Sequence, residues 1–151
     1  MASRILLSLL LLGVCCNLKA QDCFNFHKQN CCPKKGAFAY SVNEASVSFA
    51  FKPGESKCVY MDLLEGKDYR MTICSDSLYN GVVSFVIKNT DGRILYDNSQ
   101  DDFLTDIEFS CRKHNSVELI ITAPNRLDVD SETKGCIGVL IEDMVSPKIG
   151  F

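Results

Sequence analysis

The sequence predicts an all-β protein: an antiparallel two-sheet β-sandwich of about eight strands that resembles a jelly roll. Three observations predict this fold. Apolar and polar residues alternate with a period of two from Ala45 onward, turn residues interrupt the alternation at short intervals, and no stretch after Pro33 has the period of a long amphipathic helix. Side chains that alternate in this way bury one face of each strand, as two stacked sheets require.

Residues 1–20 are predicted to be a secretory signal peptide. A short basic start precedes residues 5–14, which are almost wholly apolar but too short to span a membrane, and Ala20 provides a small residue before the cleavage point. An alternative is a lipoprotein acylated at Cys15 or Cys16, although the residues before them suit that peptidase poorly. We therefore expect a secreted or periplasmic protein without a transmembrane segment.

The rest of the chain divides into a Cys-rich N-terminal arm at residues 21–44, the sandwich at residues 45–145 and a tail at residues 146–151. Loss of the leader removes two of the 16 basic residues and leaves 14 against 19 acidic ones, a net charge of −5. No basic patch stands out, so nucleic acid is not an expected partner. The length suits a single domain with its own core.

In chain order, the alternation predicts strands at residues 45–51, 59–63, 69–73, 82–87, 93–96, 107–109, 117–121 and 137–141. The two strands within residues 82–98 form a hairpin, because Gly92 can take the positive φ that a tight turn needs. We expect this hairpin in the middle of the sandwich. Residues 125–135 are charged and lack an apolar period, which predicts a long loop.

The arm has its own pattern. Cys23, His27 and Cys31 are spaced to share one face of a short helix, which Pro33 and Gly36 would end. A Cys-His-Cys face is a candidate zinc site, but export favours oxidation of the thiols. We expect an arm that disulfides staple across the sandwich.

Seven cysteines follow the leader, so at least one thiol is free or bonded to another chain. Cys111 has the same parity as its apolar neighbours and is predicted to be a buried free thiol. The parity leaves two partners open for Cys74, namely Cys58 across the turn at Gly66, or Cys136. The cysteines predicted to form disulfides are Cys23, Cys31, Cys32, Cys58, Cys74 and Cys136.

Two acidic clusters are candidates for calcium, since loops rich in carboxylates supply the oxygen ligands that this ion needs. Neither has the glycine of the twelve-residue calcium loop at its sixth position, and a solvated acidic loop is the alternative for both. No other cofactor is predicted. The clusters are Asp97, Asp101, Asp102 and Asp106, and Asp128, Asp130 and Glu132.

Enzymatic activity is not predicted. His27 and His114 are the only histidines, and neither Gly-x-Ser-x-Gly nor His-Glu-x-x-His occurs. Asp106 and Glu108 would share one strand face, as paired carboxylates for sugar hydrolysis do, but their neighbours are typical of a solvated face.

Ligand binding is the more open prediction. Tyr79, Tyr96 and Phe103 are the aromatic residues nearest to loops and could form a small binding platform, in a chain without tryptophan. The alternative is that Tyr96 and Phe103 cap the core.

Four segments together carry a resemblance to a known family. They are Leu-Glu-Gly-Lys-Asp-Tyr-Arg-Met-Thr-Ile, Val-Ser-Phe-Val-Ile-Lys-Asn-Thr-Asp-Gly-Arg-Ile-Leu-Tyr-Asp-Asn, Glu-Leu-Ile-Ile-Thr-Ala-Pro and Gly-Cys-Ile-Gly-Val-Leu-Ile. This pattern, over about residues 47–144, is similar to the small jelly-roll domains of the bacterial pre-peptidase C-terminal type, and to exported proteins of Gram-negative gut bacteria that carry it as a stand-alone domain.

The resemblance implies a β-sandwich, an extracytoplasmic location and a non-catalytic accessory or binding role, without catalytic residues to carry over. This chain departs from the family in having no peptidase attached and in its Cys-rich front. The eukaryotic Golgi-dynamics domain has a similar shape, but its proteins carry a membrane span that is missing here.

These observations predict an exported binding or accessory domain of the cell envelope, with a protein or a glycan as its partner. An alternative is a structural or assembly subunit, in which an unpaired cysteine joins two chains. A hydrolase is the third class and would need a deep pocket lined by acids with a histidine or a metal. The sequence predicts no oligomeric state.

Overall fold

The computed structural model describes residues 23–32 and 40–147. The predicted signal peptide, the acylation sites Cys15 and Cys16, and residues 148–151 of the tail lie outside this part of the chain. Within it, nine strands form two antiparallel sheets, with one short α-helix and one 3₁₀ turn. The predicted all-β sandwich is confirmed.

The helix α1 is Phe26–Asn30, and the 3₁₀ turn is Asn98–Gln100. No helix among the described residues is long and apolar enough to cross a membrane. The strands are β1 Ser41–Val42, β2 Val47–Phe51, β3 Ser56–Leu63, β4 Lys67–Ser75, β5 Ser84–Asn89, β6 Ile94–Asp97, β7 Asp106–Cys111, β8 Asn115–Thr122 and β9 Gly135–Val145.

The strand order is that of a jelly roll. The first sheet has the order β2-β9-β4-β7, with the two-residue β1 also paired to β9. The second sheet has the order β3-β8-β5-β6. From β2 onward, each described strand is followed by a strand of the other sheet, except where β5 leads into β6. Two interlocked Greek keys produce this order, so the jelly-roll interpretation is confirmed.

The core lies between the inward faces of the two sheets. Alternate residues of the central strands are buried there, and each large aliphatic side chain removed from water contributes about 1.5–3 kcal/mol. Tyr69 and Phe109 extend this core by stacking with ring centroids 5.6 Å apart. Its central members include Met71, Ile73, Phe85, Leu119, Ile121, Val139 and Ile141.

The hairpin of residues 82–98 lies at the edge of the second sheet, so its predicted place in the middle is wrong. β5 pairs with both β8 and β6, whereas β6 pairs, among the described strands, only with β5. The turn is as predicted, because Gly92 has a φ of +80° and donates its N–H to the Asn89 carbonyl at 3.0 Å. Alternation identifies the buried face of a strand but not its neighbours, which explains the error.

Two disulfides hold α1 against the outer face of the first sheet. Cys23 is bonded to Cys136 of β9 and Cys31 to Cys74 of β4, with Cα atoms 5.4 and 5.3 Å apart. The prediction of a stapled arm is confirmed, and the zinc alternative is excluded because both thiols of that face are in disulfides. The arm also contains β1, so the first sheet begins earlier than residue 45.

The arm approaches β9 so closely that a side chain would not fit between them. A Cβ atom added to Gly138 would lie 2.8 Å from the Cα of His27 and 3.0 Å from its backbone nitrogen. Backbone atoms cannot move aside as a flexible side chain can. Glycine is therefore required at this position for the arm to dock.

Three cysteines are free in the described chain: Cys32 and Cys58, which are exposed, and Cys111, which is buried. The prediction for Cys111 is confirmed, and its Sγ donates to the Lys113 carbonyl at 3.0 Å. The prediction that Cys32 and Cys58 form disulfides is wrong. Cys58 lies opposite Ile120 in the second sheet.

The two partners predicted for Cys74 are also wrong. Cys74 belongs to the first sheet and Cys58 to the second, so the turn at Gly66 leads from one sheet to the other instead of closing a hairpin. Cys136 is bonded to Cys23 of the arm. Parity along a strand carries no information about an arm that covers the outer face.

Candidate functional site

The two sheets leave an opening on the side where β6 and β7 are their edge strands. A cavity of about 470 Å³ lies there, which we call the open-edge groove. Its lining comes from both sheets and from the loop of residues 98–105. The apolar members are Leu63, Ile87, Leu95, Tyr96, Leu104, Ile107 and Phe109, and the acidic members are Asp101, Asp106 and Glu108.

One wall of the groove is the edge of β7. Four consecutive residues, Asp106 to Phe109, line the cavity. Neighbouring side chains of a strand point to opposite faces, so a cavity that touches four residues in a row touches the backbone edge. Within the described residues, β7 pairs only with β4. The groove therefore exposes a strand edge together with apolar side chains.

A buried asparagine holds the loop that forms the other lip of the groove. The side chain of Asn98 is fully buried; its Oδ1 accepts the Phe85 N–H at 2.8 Å, and its Nδ2 donates to the carbonyls of Val83 at 2.9 Å and Leu104 at 3.3 Å. The loop is thus tied to β5 through a side chain. Sequence reasoning missed Asn98, because a polar residue after a strand is usually an exposed turn residue.

Of the three aromatic residues predicted to bind a ligand, Tyr96 lines the groove. Its ring packs 5.6 Å from that of Phe85, and its hydroxyl donates to Asp101 at 3.0 Å. Burial, and then this hydrogen bond, raise the pKa of Tyr96. The hydroxyl therefore stays protonated at neutral pH and keeps Asp101 at the lip.

Phe103 is exposed but is not among the lining residues. Its φ of +56° and the φ of +47° at Asp102 are left-handed, a conformation that costs about 1–3 kcal/mol in residues other than glycine. The loop beside the groove is therefore held in a strained shape.

The prediction that Tyr79 belongs to a ligand-binding platform is wrong, because its side chain is buried in the core. The residue is 1% exposed, and its hydroxyl donates to the backbone carbonyl of Phe51 at 2.5 Å inside the core. A Cβ atom added to Gly135 would lie 2.6 Å from the Tyr79 ring, which shows how tightly it is enclosed. Its place near a loop in the sequence concealed this burial.

The acidic residues predicted to bind calcium do not converge. Asp97 accepts the Ser99 N–H at 2.9 Å, and Asp101 is bonded to Tyr96. In residues 23–32 and 40–147, no group of three or more His, Cys, Asp or Glu side chains is arranged to hold a metal ion. Asp102 takes part in no such group either.

The second acidic cluster is engaged within its own loop. Arg126 donates two hydrogen bonds of 2.8 Å to Asp128, and these bonds lower the pKa of Asp128 to about 2. Asp130 accepts the Glu132 N–H at 2.8 Å. These contacts are typical of a solvated loop.

Comparison with known protein families and with curated proteins assigns no role to these residues. No family model matches this chain, and no curated protein matches it in sequence. The resemblance to the bacterial pre-peptidase C-terminal domains stays a prediction.

A polar cluster around Arg70 lies on the outer face of the first sheet. Arg70 is buried, donates to Glu108 at 2.8 Å and lies 3.8 Å from Glu142, while the ring of Tyr40 covers its guanidinium at 4.2 Å. Burial raises the pKa of Glu142. Glu108 therefore lines the groove while its carboxylate is hydrogen-bonded to Arg70 on the outer face of the sheet.

A histidine and a serine meet between the arm and β2. Both the backbone N–H and the Nδ1 of His27 bond to the Ser48 Oγ, at 2.8 and 2.7 Å. Burial, and then the charge of Lys28, lower the pKa of His27, which favours the neutral imidazole at pH 7. The tautomer of this ring sets which of Nδ1 and Ser48 Oγ donates the hydrogen bond between them. With two bonds to one oxygen, the pair anchors α1 to β2.

Proposed function

We propose that this chain is an exported, non-catalytic binding domain of the cell envelope that takes its ligand into the open-edge groove. One observation carries the proposal: an apolar opening of about 470 Å³ with carboxylates at its lip. Ligand sites in proteins are typically concave and mostly apolar, with a few polar groups that fix the orientation of the ligand. Tyr96 and Leu104 are the residues we expect to contact the ligand.

The two disulfides support the extracytoplasmic part of the proposal. Cys23–Cys136 and Cys31–Cys74 each join the arm to a central strand of the first sheet. Such bonds persist in oxidising compartments, whereas the cytosol keeps thiols reduced. A protein whose arm depends on them therefore suits the periplasm or the outside of the cell.

The groove chemistry supports binding over catalysis. Among the described residues, the groove lining contains no histidine, cysteine, serine or lysine, so its main candidates for a nucleophile or a base are carboxylates. Asp101 accepts from Tyr96 and Glu108 from Arg70, at 3.0 and 2.8 Å. Carboxylates held in this way can orient a ligand.

The proposal is tested by screening the exported chain on glycan and peptide arrays beside two matched variants. Leu104→Arg places a charge in the groove, and Leu127→Arg makes the same change at a residue that is 94% exposed and does not line the groove. We expect the Leu104 variant to lose binding and the Leu127 variant to keep it. Binding that survives in both, or that is lost in both, contradicts a site in the groove.

A second candidate, an assembly subunit joined through a disulfide, is favoured by the exposed free thiols of Cys32 and Cys58. Partial desolvation of the exposed Cys58 side chain, and then a hydrogen bond to Glu118, raise the pKa of this thiol, which keeps the less reactive thiol form. Non-reducing electrophoresis of the chain, of Cys32→Ser and of Cys58→Ser separates the candidates. A linked dimer that either substitution abolishes supports assembly, and a monomer at all concentrations supports the binding domain.

A further inference from the structure

We propose that the ligand of the open-edge groove is an extended protein segment with alternating apolar and basic side chains, which adds to the edge of β7 as a further strand of the first sheet. This inference rests on the proposed function, since it names the ligand class of the same groove. Addition of a strand to an exposed sheet edge is a recurring mode of peptide recognition.

The backbone of β7 has the right orientation for this pairing. Ile73 of β4 donates to the Thr105 carbonyl at 2.8 Å, in line with the register that pairs Thr72 with Asp106. In an antiparallel ladder, alternate residues face the same neighbour, so Ile107 and Phe109 also bond toward β4. The N–H and C=O groups of Glu108 and Ser110 therefore point to the open edge.

The side chains of β7 determine what the added strand must carry. Ile107 and Phe109 pack against the core, whereas Glu108 and Ser110 are exposed on the outer face. Residues opposite each other on neighbouring strands lie on the same face and interact. A partner strand would therefore present apolar side chains toward Ile107 and Phe109 and basic ones toward Glu108.

The charge of the lip favours a basic partner. Residues 94–111 contain five acidic residues and no lysine, arginine or histidine. Arg70 pairs with the carboxylate of Glu108, and carboxylates are the only charged side chains that this segment of the sequence itself contributes. A second copy of this chain would bring two acidic lips together, and a glycan would offer neither positive charge nor a row of amides to match the strand edge.

The probe is a short peptide of alternating lysine and valine with blocked ends, measured by calorimetry. Two peptides control for its parts: one with glutamate in place of lysine, and one with alternate backbone amides N-methylated, which keeps the side chains but removes the strand donors. We expect the affinity of each control peptide to be lower than that of the lysine peptide by a factor of about ten or more. We also expect the lysine peptide to weaken as salt rises.

Amide hydrogen exchange measures the pairing directly. In the free protein the amides of Glu108 and Ser110 should exchange quickly, while those of Ile107 and Phe109 are protected by β4. The lysine peptide should protect Glu108 and Ser110, and Leu104→Arg should abolish this protection while Leu127→Arg leaves it. If the two amides stay fast in the complex, or the methylated peptide binds equally well, strand addition is wrong.

The same experiments separate failure of this inference from failure of the proposed function. A glycan, or a peptide of different chemistry, that binds the chain but not Leu104→Arg would keep the groove as the site and overturn the basic strand as its ligand. If no ligand distinguishes Leu104→Arg from Leu127→Arg, both this inference and the proposed function are overturned.

Discussion

Substitution of Asn98 tests how the lip of the groove is held. Its side chain bonds to the backbone of Phe85, Val83 and Leu104. In Asn98→Ala, the Phe85 N–H and the Val83 carbonyl lose this partner at residues that are 0% and 1% exposed, where water cannot replace it. Each buried group left unpaired costs about 1–3 kcal/mol, so we expect a loss of about 2–6 kcal/mol in the free energy of unfolding.

Urea unfolding followed by far-UV circular dichroism measures this loss, with tyrosine fluorescence as a second probe in a chain that has five tyrosines and no tryptophan. Ser99→Ala is the matched control, because Ser99 is exposed and its Oγ accepts only a 3.2 Å bond from Gln100. The control should change stability by less than about 0.5 kcal/mol. A loss below about 1 kcal/mol in Asn98→Ala would refute the reasoning, because the three bonds would then contribute almost nothing.

The other predictions concern the arm and the outer face of the first sheet. Gly138→Ala should lower the melting temperature by forcing the backbone of His27 away, at a cost of about 1–3 kcal/mol. Replacing Cys31 and Cys74 together by serine should cost about 4 kcal/mol in urea unfolding, from a sequence separation of 43 residues. Burial raises the pKa of Glu142 above 4.5, so its contribution favours folding at low pH and is lost as the pH rises through that raised value. Glu142→Gln should therefore flatten the dependence of melting temperature on pH above about 4.5, and an unchanged slope contradicts this.

The strands could be predicted because each buries one face. Val117, Leu119 and Ile121 alternate with polar or half-buried neighbours, and so do the core residues of β4 and β5. Such a pattern follows from packing that involves only the strand and the core. The inward position of Cys111 follows from the same parity.

The features that the sequence pattern did not predict depend on contacts between distant parts of the chain. Cys136 and Gly138 stand off the apolar parity of β9 and nevertheless are buried, because the arm covers them. The groove exists because β6 and β7 are edge strands on the same side, a property of topology that no local pattern carries. Asn98 acts through backbone groups, which leave no trace in the side-chain pattern of the residues it binds.

The bond between Cys23 and Cys136 joins residues 113 positions apart, near the two ends of the described chain. In the exported chain that we propose, Cys23 would reach the oxidising side of the membrane early and would wait for its partner until almost the whole chain had emerged. Five other cysteines lie between Cys23 and Cys136 in the chain: Cys31, Cys32, Cys58, Cys74 and Cys111. Premature pairs must then be reopened by thiol exchange, so maturation of this protein should depend on a disulfide isomerase more than on the oxidant that makes the first bonds.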